Sequence, residues 1–138
     1  MKQKTIILVD GENVSANNAE KIVTISNRLG VVAERKVYHH QKDRGTRAWT
    51  EKSKDGKYKD IQLYGDPEKD KVDRKIQKDA RRYLIEPDVA LVCIVSSDGG
   101  FRILAEDAAA AGKKLCFIGG KNPSHKLRNT GAKFLKIR

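Results

Sequence analysis

Residues 5–13 read Thr5-Ile6-Ile7-Leu8-Val9-Asp10-Gly11-Glu12-Asn13, and this stretch decides the fold. Its four consecutive apolar residues predict a strand that is buried on both faces, as in a parallel sheet. The run ends abruptly in a carboxylate followed by glycine. Because open α/β sheets bind ligands beyond the carboxyl ends of their strands, Asp10 is the first candidate for a functional residue.

The rest of the chain alternates between helical and strand patterns. Apolar residues at helical spacing predict helices over 17–29, from about 71 until Pro87, over 101–111 and over 124–129, with a helical patch at 47–53. Apolar runs predict strands at 31–38, 60–64, 89–95, 115–118 and 133–137. Such alternation predicts an α/β fold with a doubly wound, mainly parallel sheet, and the 138 residues form one domain spanning 1–138.

The charge balance favours a polyanionic partner. The chain has 29 Lys and Arg residues against 18 Asp and Glu residues, which gives a formal net charge of +11. Nucleic acid is the default partner for such a field, and no basic amphipathic helix or lipidation signal indicates a membrane. Cys93 and Cys116 lie inside apolar runs, which predicts small core residues in a reduced, cytoplasmic protein. The N-terminal apolar run is also too short for a signal peptide.

The positive charge is concentrated in a basic, flexible insertion at about 39–59. We expect phosphate contacts from this segment and from the helix after it, through Lys42, Arg44, Arg47, Lys71, Arg74 and Lys75. Trp49, Tyr38 or Tyr58 could stack on bases, and the alternative for Trp49 is a role in anchoring the segment to the body of the domain. The adjacent His39 and His40 are expected to face solvent.

Three carboxylates are expected to meet at one edge of the sheet. Asp10 and Asp98 each follow a buried strand, and Asp73 lies in the first turn of a helix that begins at the same edge. Like charges held close together imply a cation, and a site with only oxygen ligands favours Mg2+ or Mn2+. Each acid alone has a structural alternative, since Asp98 is a good helix N-cap and Asp73 suits a helix dipole.

Several of these motifs together resemble the NYN family of PIN-like nuclease domains. They are Ile7-Leu8-Val9-Asp10-Gly11-Glu12-Asn13, then Lys71-Val72-Asp73 with Asp79 six residues later, then Val95-Ser96-Ser97-Asp98-Gly99-Gly100-Phe101. The endings Ser124-His125-Lys126-Leu127 and Ala132-Lys133-Phe134-Leu135 are also similar to the family. The resemblance implies a three-layer α/β/α sandwich with a mainly parallel central sheet of order 3-2-1-4-5, with room for one extra short strand.

The resemblance also implies a site and an activity. Asp10, Asp73 and Asp98 correspond to the family's metal-binding acids for Mg2+ or Mn2+, and RNA cleavage is the usual reaction. Asn13, Asp79 and Ser97 are assigned supporting polar roles, although Asp79 is equally interpretable as a paired structural acid. One position departs from the family pattern, because Gly100 occupies the place of a common second Asp. Glu12, Asp66 or Asp70 could substitute for that acid.

The sequence therefore predicts a metal-dependent endoribonuclease, with a homodimer left open as its assembly. The first alternative is an RNA-binding module that kept the acidic cleft but cleaves poorly, which Gly100 motivates. A phosphatase of the haloacid-dehalogenase type ranks third. That chemistry needs a second Asp two residues after the first, and position 12 is Glu.

Overall fold

The computed structural model of the protein describes residues 3–120 and 124–137. Its strands are β1 (Lys4–Asp10), β2 (Val31–His40), β3 (Lys59–Leu63), β4 (Val89–Val95), β5 (Lys114–Gly119) and β6 (Lys133–Lys136). Its α-helices are α1 (Ala19–Leu29), α2 (Thr46–Lys52), α3 (Lys71–Leu84), α4 (Ile103–Ala110) and α5 (His125–Arg128). Short 3-10 turns precede α1 and α4, at Ala16–Asn18 and Gly99–Arg102.

The six strands form one sheet in the order β3-β2-β1-β4-β5-β6. All of its strand pairs are parallel. The predicted order 3-2-1-4-5 is confirmed, and β6 is the additional short strand at one edge. Strand β1 lies between β2 and β4, with Val9 paired to both Val37 and Val95. The strand that opens the chain is therefore central, and its last residue reaches the carboxyl edge of the sheet.

Side chains of β1 alternate between two cores. Ile6 and Leu8 pack with α3 and α4 on one face of the sheet, and Ile7 and Val9 pack with α1 and α2 on the other. All four are essentially without solvent exposure. An apolar run with no polar alternation is the pattern that a strand covered on both faces requires. The predicted three-layer α/β/α sandwich is confirmed.

The end of β2 differs from its prediction. His39 and His40 belong to the strand and are buried, so the expectation that they face solvent is wrong. The neighbouring strand β3 and the loop beyond it supply their partners. Nε2 of His39 contacts the Asp60 carboxylate, and Nε2 of His40 lies 3.0 Å from the carbonyl oxygen of Gly65. Hydrogen-bond partners within the fold replace the water that a lone histidine pair would need.

The basic segment contains helix α2, which the sequence predicted at 47–53. Trp49 is its buried anchor, with no solvent exposure, and its indole N–H donates to the carbonyl oxygen of Val14 at 2.9 Å. Tyr58 packs edge-on against the indole, with ring centroids 5.4 Å apart. Trp49, Tyr38 and Tyr58 are all buried, so base stacking by these residues is wrong and the anchoring alternative for Trp49 holds.

Two further expectations concern the core and the membrane. Cys93 and Cys116 are buried free thiols on paired positions of β4 and β5, as small core residues should be. Among the described residues, no helix is both long enough and apolar enough to cross a membrane.

Candidate metal centre

Three acids converge at the carboxyl edge of the sheet. Asp10 ends β1, Asp98 follows the neighbouring strand β4 by three residues, and Asp73 lies in the first turn of α3. Each offers a carboxylate oxygen, and these three oxygens lie within 4.8 Å of one another. The parallel topology explains the meeting, because strand ends and the starts of the following helices share one edge.

Asp10 is buried and held in a fixed orientation. Its Oδ2 accepts hydrogen bonds from Nδ2 of Asn13 at 2.6 Å and from Oγ of Ser96 at 3.2 Å. Its Oδ1 accepts a long bond from the backbone N–H of Glu12, at 3.3 Å. Burial raises the pKa of Asp10, and the bonds from Asn13 and Ser96 oppose that rise. Two side chains thus hold Oδ2, and Oδ1 has the longest of these hydrogen bonds.

The surroundings of Asp73 oppose its ionisation. Burial raises its pKa to about 7, and the charges of Asp10, Asp98 and Asp70 add to the effect. A hydrogen bond with Asp98 acts in the same direction. Asp98 in turn caps the 3-10 turn that follows it, because its Oδ1 accepts the backbone N–H of Gly100 at 2.9 Å. Three carboxylates can all be ionised here only at a large cost in mutual repulsion.

This donor set fits a divalent cation. The cluster offers carboxylate oxygens alone, which suits hard ions such as Mg2+ and Mn2+ better than softer metals. Bound positive charge would also cancel the repulsion that holds a proton on Asp73 near neutral pH. Asp10, Asp73 and Asp98 are the residues that would hold the ion.

Ser96 is a functional residue that the sequence reasoning missed. It is fully buried, it donates to Asp10, and its Oγ accepts the backbone N–H of Asp98 at 3.1 Å. The pairing of β1 with β4 explains this contact. Val9 pairs with Val95, so the residues that follow them, Asp10 and Ser96, come to lie side by side. Ser97, the predicted support, instead accepts the backbone N–H of Gly120 at 3.2 Å and thereby joins the ends of β4 and β5.

The two other predicted supporting residues differ in their placement. Asn13 contacts Asp10 directly, whereas Asp79 bonds away from the cluster. Its Oδ2 accepts the hydroxyl of Tyr38 at 2.6 Å, and its Oδ1 accepts Nζ of Lys75 at 3.2 Å. Its pKa is lowered: burial alone would raise it, but the bonds from Tyr38 and Lys75 outweigh burial. These contacts support the interpretation of Asp79 as a paired structural acid.

Gly100 faces the cluster directly. A Cβ atom built on it would lie 3.4 Å from Oδ1 of Asp98 and 3.8 Å from Oδ2 of Asp73. An acid at this position would therefore join the three others. Within the described residues, the cluster does not include the proposed substitutes Glu12, Asp66 and Asp70. Burial, Asp43 and Asp10 raise the pKa of Glu12, so Glu12 lies near Asp10 without completing the cluster.

The six predicted phosphate-binding cations fall into two groups. Lys42, Arg44 and Arg47 are exposed and form no ion pair with any acid that the structure describes. The three on α3 are engaged within the fold. Lys71 bonds to the carbonyl oxygen of Tyr64, Arg74 pairs with Glu68 at 2.8 Å, and Lys75 pairs with Asp79. The first group is the one available to a ligand.

Tyr64 is the exposed aromatic residue at this edge. It follows β3 directly, and 62% of its surface is accessible. Its carbonyl oxygen is held by Lys71, at the start of the helix that carries Asp73. The alternating pattern that ends at Tyr64 predicted the end of a strand, but it did not indicate which aromatic ring would remain outside the core.

A parallel α/β/α sandwich with an acidic cluster at the carboxyl edge is the architecture of PIN-like nuclease domains. A model of the NYN domain matches residues 4–138, so the chain belongs to the NYN family within that superfamily. Nucleases of this superfamily use divalent metals and act on nucleic acid.

One solved structure supports the fold. The chain is similar to the crystal structure of a protein of unknown function from Vibrio parahaemolyticus, with a TM-score of 0.79 and 25% sequence identity. The similarity covers 99% of this chain and 94% of that one. No curated protein matches the sequence.

Proposed function

We propose that this protein is a metal-dependent endoribonuclease that hydrolyses RNA phosphodiester bonds. The observation that carries the proposal is the convergence of Asp10, Asp73 and Asp98 within 4.8 Å at the carboxyl edge of a basic α/β domain. A Mg2+ or Mn2+ ion bound by these acids would supply Lewis-acid activation of a phosphate and lower the pKa of a bound water.

The chain's own residues hold this site rigid. Asn13 and Ser96 fix one oxygen of Asp10, and the N–H of Gly100 fixes one oxygen of Asp98. Preset carboxylates need no reorganisation when charge develops in the transition state. Asp73 is the acid whose pKa lies near neutrality, so it is the one that changes protonation as the site fills.

RNA recognition is proposed from the exposed groups on the same edge. Lys42, Arg44 and Arg47 follow the end of β2 and would contact phosphates, while the exposed ring of Tyr64 would stack on a base. The predicted contribution of Lys71, Arg74 and Lys75 is reduced, because their side chains are already bonded within the fold. A cytoplasmic location fits an RNA substrate.

The test is cleavage of a labelled single-stranded RNA in Mn2+ by Asp10→Asn and Asp98→Asn variants. Loss of a metal ligand should reduce cleavage by more than about 100-fold. RNA affinity should be retained, since no phosphate contact is removed. Asp66→Asn is the matched control, because Asp66 is exposed and outside the cluster. Unchanged cleavage by either cluster variant would contradict the proposal.

A second candidate is an RNA-binding module with little or no catalysis, and Gly100 favours it. The cluster has three acids where the family commonly has four, and the missing side chain would have pointed at Asp73 and Asp98. Calorimetric titration with Mn2+ separates the two candidates. Absence of binding at millimolar Mn2+, together with salt-sensitive RNA binding, would favour the module.

A further inference from the structure

A groove separates helix α1 from the edge strand β6, and its volume is about 600 Å3. Lys21 and Arg28 line one wall, and Lys133 and Lys136 line the other. The floor is apolar and includes Ile25, Leu29 and Leu135. We call this feature the α1–β6 groove. None of the sequence-predicted phosphate contacts lies in it.

Three of the four cations, Lys21, Arg28 and Lys133, lie on the side of the sheet that α1 covers. On α1, positions 21, 24, 25 and 28 follow the spacing that puts side chains on one helix face, and the two cations stand about 10 Å apart along the axis. On β6, successive side chains point to opposite faces of the sheet, so Lys133 shares the α1 side with Leu135, whereas Lys136 shares the other side with Phe134. Helix α1 runs from the carboxyl edge of the sheet toward its amino edge, and β6 runs in the opposite direction. Lys21 and Lys136 therefore lie toward the carboxyl edge, and Arg28 and Lys133 lie toward the amino edge.

The cations of the groove are not neutralised by the fold. All four are exposed, and none forms an ion pair within residues 3–120 and 124–137. Glu20 is the one acid in the sequence of α1, and it pairs with Lys57. Strand β6 contains no acid. The three unpaired positive charges on the α1 side, beside an apolar floor, are complementary to an anionic ligand with apolar surface.

One end of the groove lies toward the edge that bears the acids. Lys136 pairs with Gly119 at the end of β5, and the N–H of Gly120 bonds to Oγ of Ser97 beside Asp98. Strand β6 is two strands from β4 in the sheet, a distance of roughly 10 Å. The exposed cations Lys42, Arg44 and Arg47 belong to the opposite side, next to β2. The acids thus lie between two basic surfaces.

We propose that the α1–β6 groove binds the phosphodiester backbone of a single-stranded RNA whose neighbouring segment crosses the acidic cluster. This inference rests on the proposed function for its ligand. The walls supply cations at two levels along the strand, and the apolar floor accommodates sugar and base surfaces. The groove would therefore fix the direction in which the strand leaves the site.

The experiment measures binding of a fluorescein-labelled, mixed-sequence single-stranded RNA to the full chain carrying Asp10→Asn. The test variant adds Arg28→Glu and Lys133→Glu. The control adds Lys59→Glu and Lys78→Glu, which are exposed and change the net charge equally. Loss of two phosphate contacts should reduce the slope of log affinity against log salt by about 1.4, and the affinity at 0.15 M salt by about tenfold. The control should show a clearly smaller loss.

Equal losses of RNA affinity in the test and control variants would overturn the proposal that the groove binds RNA. An unchanged salt slope in the test variant would also overturn it. Binding of labelled polyglutamate that depends on Arg28 and Lys133 as strongly as RNA binding does would also overturn it, in favour of an acidic protein partner. The readout is binding without cleavage. A failure of the nuclease proposal, seen as cleavage that survives Asp10→Asn, is therefore distinguishable from a failure of the groove.

Discussion

The hydroxyl of Ser96 donates a hydrogen bond to Oδ2 of Asp10 over 3.2 Å at the junction of the two central strands. Oγ of Ser96 in turn accepts a hydrogen bond from the backbone N–H of Asp98 at 3.1 Å. One buried side chain therefore sets the position of two of the three acids relative to each other. Groups that orient ligands in this way contribute to metal affinity although they do not touch the metal.

Ser96→Ala should weaken Mn2+ binding by about 10- to 100-fold, because Asp10 loses one of its two side-chain donors. The measurement is calorimetric titration of the folded protein with Mn2+. Ser97→Ala is a matched control, since Ser97 bonds to Gly120 and to neither acid. If both substitutions change the Mn2+ affinity equally, Ser96 has no positioning role.

Asp73 makes the stability of the metal-free protein depend on pH. Its pKa is raised from 3.8 to about 7, so between these values the folded protein binds more protons than the unfolded chain. Stability from this group is present at low pH and is lost as the pH rises through about 7. The melting temperature of the metal-free protein should therefore fall between pH 5 and pH 8 more steeply than that of Asp73→Asn.

Asp73→Asn removes the repelled charge while keeping the size of the side chain, so it should melt at a higher temperature than the parent protein at pH 8. Thermal unfolding in a chelating buffer across this pH range is the measurement. Saturating Mn2+ should raise the melting temperature of the parent protein and leave that of the variant nearly unchanged. Parallel pH curves for the two proteins would show that Asp73 titrates normally.

Gly100→Asp should strengthen metal binding. The added Cβ would meet Asp98 and Asp73 at ordinary contact distances, and the fourth carboxylate should raise Mn2+ affinity by about tenfold. Cleavage should rise with it, and the metal-free protein should lose stability through added repulsion. Gly100→Asn provides the size-matched control without charge. If Asp and Asn give the same Mn2+ affinity, position 100 does not contribute a ligand.

The strand and helix ends of this fold were predictable from sequence because they depend on main-chain topology. Apolar runs that end near a carboxylate locate Asp10 and Asp98, and the parallel order brings the start of α3 and Asp73 to the same edge. The structure adds that Asp98 lies three residues past the end of β4. These positions follow from which strands are central. They do not require knowledge of any individual side-chain contact.

The remaining features depend on long-range partners that periodicity does not specify. The burial of His39 depends on Asp60, on the next strand, which accepts a hydrogen bond from its ring nitrogen. The burial of Trp49 depends on the carbonyl oxygen of Val14, which accepts its indole N–H. Ser96 and Ser97 differ only in the direction in which their side chains point, which a one-residue shift in register would exchange. Sequence therefore located the acids more readily than the side chains that hold them.

Tyr64 is the candidate for stacking on an RNA base. Its side chain is exposed, whereas the three aromatic residues that the sequence suggested, Tyr38, Trp49 and Tyr58, are buried. Tyr64→Ala should weaken binding of single-stranded RNA by about 1–3 kcal/mol, the usual contribution of one stacked base. Fluorescence anisotropy with the Asp10→Asn chain measures this without cleavage. The loss should be nearly independent of salt, since stacking releases no counterions.

Tyr64→Phe separates stacking from hydrogen bonding at the same position. It keeps the ring and should retain nearly all of the affinity, whereas Tyr64→Leu keeps apolar area without an aromatic face and should behave more like Tyr64→Ala. Because the Tyr64 side chain is exposed and Lys71 holds its carbonyl oxygen, none of these substitutions should unfold the loop. Full affinity in the Ala variant would mean that the RNA passes the acids without touching the end of β3.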